Sequence, residues 1–290
     1  MPTSVAYPQI LLWYADHRRV LPWREPGVGG WAVLVSEVML QQTPVSRVLP
    51  AYGAWMQRWP TPSALASDTP GNAVRMWGRL GYPRRALRLH AAATLIDVEY
   101  QGEVPAAYDE LRRLPGVGDY TAAAVAAFAY RQRAIVLDTN VRRVLARWRT
   151  GVQFPPRHVT SIERDLAEGV LPKDGEVAAT WSVALMEVGA LLCTATCPTC
   201  APCPVRDTCA WRAAGYPAYD GSPRRAQSYA GTDRQCRGRI LALLRESDDP
   251  VPASAVTSVW GDPTQRRRAL ASLLEDGLVV ENDETLALPS

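Results

Sequence analysis

The sequence predicts an all-α fold, and three observations lead to that prediction. Five or six short segments before Leu114 carry apolar residues at helical spacing. The connections between these segments are short, and no convincing ladder of alternating strands separates them. Two glycines, Gly116 and Gly118, then divide two further helical segments, which predicts a helix-hairpin-helix unit.

The predicted helices follow one another along most of the chain. The second is apolar on most sides, which predicts a buried helix, and a Gly/Pro-rich loop at residues 25–30 precedes it. Gly81-Tyr82-Pro83 interrupts the helical pattern between the fourth and the fifth. Helices are predicted over residues 8–17, 31–42, 45–58, 70–80, 84–99, 108–114, 120–130, 141–149, 159–168 and 177–193.

The turn Gly116-Val117-Gly118 is the centre of the helix-hairpin-helix unit. Its glycines allow positive φ and a close approach to another backbone. The second helix of the unit starts at this turn, so its free amides and its dipole favour a bound phosphate. Asp138 follows the β-prone run at residues 134–137 and precedes a new helix, a position where aspartate is usually only an N-cap. Its partnership with the hairpin favours a functional role.

Glu37 is unexpected, because it lies in the most apolar of the early helices. A carboxylate in such surroundings is expected either to be paired, with an arginine as the structural alternative, or to have a raised pKa.

The composition sets weak bounds on function. The net charge of +3 gives little support for a nucleic-acid partner, and Lys173 is the only lysine among the cationic residues. Local arginine clusters are more informative than the net charge. Most charge clusters are only solvated faces, but a cluster beside a phosphate-binding hairpin favours a contact with nucleic acid. The N-terminus has no export signal and no apolar run approaches 18 residues, so neither export nor a membrane anchor is expected. The clusters are Arg84, Arg85 and Arg88; Arg142, Arg143 and Arg147; and Arg224 and Arg225.

Four cysteines follow the last long helix with a spacing of six, two and five residues: Cys193, Cys200, Cys203 and Cys209. Without a secretory signal, such a set favours a metal over disulfides. Thiolate chemistry alone leaves zinc and a [4Fe–4S] cluster both open. Cys197, inside the same loop, is interpreted as a free thiol, and Cys236 as a core residue.

These motifs carry a resemblance. The run from Leu114 to Ala122, together with Asp138-x-Asn140-Val141, resembles the helix-hairpin-helix DNA glycosylase superfamily. The segment Ser36–Thr43 and the cysteine spacing resemble the adenine DNA glycosylases of the MutY family, over residues 21–211. The resemblance implies two helical domains flanking a cleft, with a [4Fe–4S] cluster on the four spaced cysteines. It places residues 29–136 in a six-helix barrel with the hairpin, and residues 1–28 with 137–214 in the cluster domain.

The resemblance also implies roles for individual residues. Glu37 is expected to protonate the departing base, and Asp138 to stabilise the sugar cation at the same extruded nucleotide. Asn140 is expected to hold Asp138 or the sugar. Tyr120 stands where superfamily members that also cut the DNA strand carry a lysine, so base removal with little or no strand cleavage is expected. Val183 stands where relatives often carry Glu or Gln against the base. DNA or base contacts are expected from Leu40, Gln41, Gln42, Thr43 and Tyr82, from Arg19, Trp23 and Arg24, and from Gly116, Val117 and Gly118.

The C-terminal segment lies outside the resemblance. Residues 215–231, rich in Pro, Gly, Ser and Tyr, indicate a linker. Residues 232–290 read as helix, helix and a short hairpin, which predicts a small winged-helix-like module in place of the family's larger MutT-like domain. Its arginines at 266–268 either place the module on DNA or form a solvated helix face.

The expected partner is double-stranded DNA with adenine opposite 8-oxoguanine or guanine, bound by a monomer in the bacterial cytoplasm. Two alternatives are a thymine glycosylase for T:G mismatches and a non-catalytic DNA-binding protein. The segment around Glu37 favours adenine, because thymine offers no comparable nitrogen for this residue to protonate. The presence of Glu37 and Asp138 together counts against a protein that only binds.

Overall fold

A computed structural model describes residues 6–221 and 229–290. This part of the chain is all-α apart from one small C-terminal sheet, which confirms the predicted fold class. The described helices are α1 (Ala6–His17), α2 (Gly30–Leu40), α3 (Val45–Arg58), α4 (Pro62–Ala66), α5 (Pro70–Trp77), α6 (Arg84–Tyr100), α7 (Tyr108–Arg113), α8 (Asp119–Tyr130), α9 (Thr139–Leu145), α10 (Ser161–Val170), α11 (Gly175–Glu187), α12 (Ala210–Ala213), α13 (Asp233–Arg245) and α14 (Pro263–Glu275).

The helix bounds differ from the predicted ones by a few residues at most ends, and α4 is missing from the prediction. Its five residues are too few to show a helical period, although Thr61 caps it and Pro62 opens it. The β-prone residues 134–137 form no strand. Helices α9 and α11 each continue into a π-helical turn, Ala146–Thr150 and Val188–Leu192, a local geometry often found at functional sites.

The chain divides into two compact units. Among the described residues, the first is built from 6–33, 106–112 and 117–221. Its main core includes Ile10 of α1, Val144 of α9 and Trp181 of α11, all at most 3% exposed. The π turn after α11 packs closely against α9, because a Cβ atom built on Gly189 would lie 2.6 Å from the Asn140 Cβ. Only a glycine at 189 allows that approach.

The second unit is built, among the described residues, from 34–105, 113–116 and 229–290. Three buried tryptophans of α3, its C-terminal end and α5 pack edge to face. The Trp55 ring centroid lies 4.6 Å from that of Trp59 and 5.7 Å from that of Trp77.

The C-terminal module belongs to the second unit. It contains α13, β1 (Val251–Pro252), a 3-10 turn (Ala253–Ser258), α14, β2 (Val280–Asn282) and β3 (Thr285–Ala287). The strands pair antiparallel in the order β1-β3-β2. The sequence predicts both helices and the terminal hairpin, but not β1, whose two residues give no alternation.

The module packs directly on α5. Arg75 Nη2 donates to the Ser247 carbonyl at 2.8 Å, and Arg245 Nε donates to the Val74 carbonyl at 3.0 Å. A Cβ atom on Gly71 would lie 2.3 Å from the Pro289 carbonyl oxygen, so the two backbones meet without room for a side chain.

One helical stretch, Gly175–Leu192, is long and apolar enough to span a membrane by length and composition. The expectation that no apolar run approaches 18 residues is therefore wrong. The stretch is 56% buried inside the protein and contributes Trp181 and Leu185 to the core of the first unit. Its apolar character follows from this core position.

Candidate active site

Glu37 lies on α2 in a run of buried residues, and its own exposed fraction is only 4%. The neighbouring Ser36 is fully buried as well. The helix therefore carries this carboxyl into an interior environment, as the apolar sequence around it predicts.

Asp138 is the N-cap of α9. Its Oδ1 accepts a hydrogen bond from the Val141 amide at 2.6 Å, and its Oδ2 accepts one from Asn140 Nδ2 at 2.8 Å. Burial raises the pKa of the Asp138 carboxyl above its ordinary value, while these donors and the charge of Arg143 offset part of that rise. The structural role expected of an aspartate at this position is thus present, and one oxygen is additionally held by a neighbouring amide.

A chain of hydrogen bonds links Asp138 to the cysteine loop within the first unit. Asn140, which donates to Asp138, accepts from Arg143 Nη2 at 2.8 Å. Arg143 also donates to the Gly189 carbonyl at 2.7 Å and, through Nε, to the Cys193 carbonyl at 2.7 Å. The aspartate and the first cysteine of the spaced set are therefore connected through two side chains.

Glu187 is a functional candidate that the sequence analysis missed. It is fully buried at the end of α11, and its carboxylate binds two arginines. Arg19 donates through Nε at 2.9 Å and Nη2 at 2.5 Å, and Arg24 Nη1 lies 2.9 Å from Oε1 as an ion pair without hydrogen-bond geometry. Burial raises the pKa of Glu187, but the two guanidinium groups outweigh it and the net pKa is below the ordinary value.

The signal for Glu187 is present in the sequence. It is an isolated carboxylate in an apolar helix, which is the same argument that selects Glu37. In this helix the resemblance draws attention to Val183 and does not select Glu187. Val183 is 8% exposed and packs in the hydrophobic core, whereas Glu187 lies one turn later with both predicted arginines. Trp23, between those arginines, is 6% exposed.

Gln42 and Tyr82 form an exposed, strained pair in the second unit. Tyr82 Oη donates to Gln42 Oε1 at 2.8 Å, and the Tyr82 side chain is 48% exposed. Both residues have positive φ, at +55° and +47° respectively, although neither is glycine. Such conformations cost about 1 kcal/mol or more each and are concentrated at functional sites.

Arg85 fixes the backbone beneath that pair. Its side chain is buried, and Nη1 donates to the carbonyls of Val38 at 2.6 Å and Gln41 at 2.8 Å. Nη2 donates to Thr43 Oγ1 and to the Gly81 carbonyl, each at 3.1 Å. Burial lowers the pKa of Arg85 to about 10, so it stays cationic at neutral pH at the C-terminal end of α2.

The remaining residues of this segment differ in accessibility. Leu40 and Gln41 are half-buried, whereas Thr43 is only 7% exposed and donates to the Leu80 carbonyl. The expected DNA contact through the Thr43 side chain is therefore replaced by an internal hydrogen bond.

The two hairpin glycines, Gly116 and Gly118, occupy different backbone environments. Gly116 has φ of +80°, and a Cβ there would lie 2.8 Å from the Arg88 Cβ. Gly118 is an exposed, extended N-cap that leaves the first amides of α8 without a side-chain cap. Val117 is 5% exposed, and its carbonyl accepts a hydrogen bond from Arg112 Nη1 at 2.9 Å. Tyr120, in the first turn of α8, is half-buried against the alanine-rich core of that helix.

The four spaced cysteines line one pocket of about 410 Å³, its open mouth included. Arg147 lines the same pocket at 1% exposure and donates to Cys193 Sγ at 3.3 Å and to the Thr194 carbonyl at 2.7 Å. Cys197 is exposed and does not line the pocket, and Cys236 is fully buried in the C-terminal module, as its interpretation as a core residue predicts. No group of three or more His, Cys, Asp or Glu side chains in the described chain is arranged to hold a metal ion.

The described arginine clusters are divided between the interior and the surface, and Arg88 is exposed beside Gly116 of the hairpin. Arg143 and Arg147 are buried, and Arg142 pairs with Glu163 at 2.8 Å. In the first cluster Arg85 is buried and Arg84 pairs with Asp276 at 3.1 Å. The third cluster, at positions 224 and 225, lies outside the described residues.

Comparisons with known proteins bear on this geometry. The profile of the HhH-GPD superfamily base excision DNA repair proteins matches residues 35–169. The adenine DNA glycosylase of Mycobacterium tuberculosis strain H37Rv is 52% identical over 292 residues, covering 99% of this chain and 95% of that protein. This chain belongs to the adenine DNA glycosylase family.

Other adenine DNA glycosylases differ in how much of the chain they match. The enzyme of Mycolicibacterium smegmatis is 52% identical over 277 residues, covering 95% of this chain. The rat enzyme is 40% identical over 213 residues, which cover 69% of this chain and 40% of that protein. The M. tuberculosis family member therefore extends across the C-terminal module, because a match over 99% of the chain must include it.

Solved structures show the same helical fold as this family member. A thermostable thymine-DNA glycosylase has a TM-score of 0.65 at 25% identity, covering 73% of this chain and 97% of that one. Endonuclease III, solved in a non-covalent DNA complex, has a TM-score of 0.61 at 23% identity and covers 72% of this chain. At these identities the likeness concerns the fold.

Proposed function

We propose that this enzyme removes adenine mispaired with 8-oxoguanine or guanine from duplex DNA by hydrolysing its N-glycosidic bond. The observation that supports this most directly is the capped and hydrogen-bonded Asp138, with Asn140 on one oxygen and the Val141 amide on the other. A carboxylate whose two oxygens are fixed in this way can stabilise positive charge on a sugar.

The chemistry needs two aids at neutral pH. The departing adenine must receive a proton on a ring nitrogen, and the cationic sugar left behind must be stabilised. We assign the proton to Glu37, whose carboxyl group lies on α2 at only 4% exposure. We assign the cation to Asp138, which acts electrostatically or through a transient covalent bond to the sugar.

The base pocket is assigned to the first unit. Glu187 fixes Arg19 and Arg24 in one arrangement, so their remaining N–H groups are oriented before a base arrives. Trp23 supplies an aromatic wall between the two arginines in sequence. Tyr120 has no amine and cannot form an imine with the sugar, so the strand is expected to stay uncut after base removal.

Extruding the adenine leaves a gap in the duplex that protein must fill. Gln42 and Tyr82 are the proposed wedge beside the opposing base, because both are exposed and already bonded to each other. Leu40 and Gln41 line the same segment. The amides around Gly116, Val117 and Gly118 are the proposed phosphate site.

The cysteine loop is proposed to hold a [4Fe–4S] cluster. Cys193, Cys200, Cys203 and Cys209 all line one pocket, and each would bind a different iron of the cluster. When bound, the cluster would crosslink the loop through four thiolate bonds.

One assay tests the proposed activity. Duplexes with A opposite 8-oxoguanine, A opposite G and T opposite G are incubated with the protein and then analysed with and without alkali. Alkali-dependent cleavage at the two adenine duplexes is expected. Cleavage at T:G alone would make the enzyme a thymine glycosylase instead, and cleavage without alkali would contradict the role given to Tyr120.

The acid assignment is tested by Glu37→Gln, with Glu99→Gln as a matched control at an exposed carboxylate. Glu37→Gln is expected to abolish base release while mismatch binding persists, because the amide cannot donate a catalytic proton. Adenine release at the unaltered rate by Glu37→Gln would refute the assignment.

A further inference from the structure

The C-terminal module brings an arginine onto the proposed wedge. The guanidinium carbon of Arg234, in the first turn of α13, lies 5.6 Å from the ring centroid of Tyr82 and 6.0 Å from that of Tyr229. Arg234 is exposed, and its neighbour Asp233 is already bound by Arg268. Among the described residues no ion pair involves Arg234.

The geometry of this contact leaves donors available. A guanidinium group over an aromatic ring is held by the ring quadrupole, while its N–H groups remain free to bind oxygen atoms at its edge. Tyr82 is itself 48% exposed, strained at φ of +47° and bonded to Gln42. The side chains of Arg234, Tyr82 and Gln42 form one exposed surface. This surface carries a cation, and no described anion lies on it.

Two of the three arginines at 266–268 are engaged within the module. Arg266 donates to the carbonyls of Thr257 and Trp260, and Arg268 binds Asp233. Of the three arginines at 266–268, only Arg267 is exposed without a described ion pair. A basic surface on this module has its best support at Arg234, where the module meets Tyr82.

Contacts at several places fix the C-terminal module in position, and Arg234 is fixed with it. Asp276, after α14, pairs with Arg237 at 2.5 Å and with Arg84 at 3.1 Å. The hydrogen bonds of Arg75 and Arg245 add a second attachment on α5. A module fixed on both sides presents Arg234 at little cost in ordering entropy when a ligand binds.

We propose that the C-terminal module is part of the DNA-binding surface, and that Arg234 binds a phosphate of the strand opposite the excised adenine. The inference rests on the proposed function, since it takes Tyr82 and Gln42 as the wedge on that strand. Tyr82 fills the stack, and Arg234, over the Tyr82 ring, forms a charge-assisted hydrogen bond to the backbone beside it.

The test is the salt dependence of binding to a duplex that carries a non-hydrolysable 2′-fluoro-2′-deoxyadenosine opposite 8-oxoguanine or guanine. Each phosphate contact contributes a slope of about −0.9 to the dependence of log K on log salt. Arg234→Gln is expected to reduce the slope by about 1 and to weaken binding about eightfold at 0.1 M salt, equally for both opposing bases. Arg234→Lys should keep the slope.

Arg267→Gln is the matched control, because it removes the same charge from an exposed position on the same module. Its slope is expected to equal that of the unaltered protein. An unchanged slope in Arg234→Gln, an equal loss in Arg267→Gln, or a loss confined to one opposing base would each overturn the phosphate assignment. Excision by the unaltered protein, measured separately, distinguishes these results from failure of the proposed function, in which no adenine is released at all.

Discussion

The hydrogen bond between Asn140 and Asp138 makes a quantitative prediction about pH. Asp138 must be ionised to stabilise a sugar cation, and burial raises its pKa. Activity is therefore present above the folded-state pKa of Asp138 and is lost as the pH falls through it. Asn140→Ala removes the 2.8 Å hydrogen bond to Oδ2, which favours the ionised form, so the pKa rises further.

The size of the shift follows from the energy of one such bond. A hydrogen bond to a charged group contributes about 1.5–3 kcal/mol, and one pKa unit corresponds to about 1.36 kcal/mol. The acid limb of the excision rate should therefore move about 1 to 2 units towards higher pH. Each rate is first divided by the plateau rate of the same protein. At a pH on the acid limb, this relative rate should then be about 10- to 100-fold lower for the variant than for the unaltered protein. Alanine keeps the Cβ atom that packs against Gly189, so the backbone contact is retained.

The assay is the single-turnover release of adenine opposite 8-oxoguanine as a function of pH, with circular dichroism showing that each variant stays folded. Asn72→Ala is the matched control, because Asn72 Nδ2 donates to Asp68 Oδ1 at 2.6 Å in a pair that has no proposed role. Its acid limb should stay in place. A uniformly slower Asn140→Ala with an unmoved acid limb would refute the reasoning, as would an equal movement in both variants.

Three further predictions concern stability and the cysteine loop. Glu187→Ala should lower the free energy of unfolding by about 2–3 kcal/mol at pH 7, because it leaves two partly exposed guanidinium groups unpaired. This loss should become smaller as the pH falls through the lowered pKa of Glu187, because the protonated carboxyl no longer pairs with the arginines. Chemical denaturation at pH 7 and pH 3 measures both effects. Arg85→Met should cost about 3 kcal/mol or more, since it orphans buried carbonyls at the end of α2, and a denaturation midpoint equal to that of the unaltered protein would contradict the capping role. Cys200→Ser should abolish the broad visible absorbance of a bound cluster while Cys197→Ser keeps it; iron analysis of both variants measures this, and equal loss in the two would exclude the assigned ligand set.

Local patterns in the sequence predict much of this protein. The helices follow from apolar spacing, and the hairpin from two glycines that meet different steric demands at φ of +80° and at an extended N-cap. Asp138 is recognisable as an N-cap from its position before a helix, and the apolar run around Glu37 predicts its burial. These features depend on residues within a few positions of one another, so they can be recognised from the sequence alone.

Partnerships between distant residues could not be predicted in the same way. Arg19 and Glu187 are separated by 168 positions, and Arg143 reaches the carbonyl of Cys193 across 50 positions. The helical spacing of apolar residues does not show which buried carboxylate an arginine will pair with. For that reason the burial of Arg85, Arg143 and Arg147, which belong to predicted basic clusters, and the pairing of Glu187 are not predicted from the sequence.

The sequence by itself thus determined the helical fold, the hairpin, the spaced cysteines and the two carboxyls proposed for catalysis. The tertiary structure decided which charges remain available, because the packing of helices pairs Glu187 with two arginines and buries Arg85 and Arg147. It also decided that α13 places Arg234 over Tyr82, about 150 positions earlier in the chain. Long-range packing alone brings such groups together, since periodicity specifies which face of a helix is buried and leaves open what covers it.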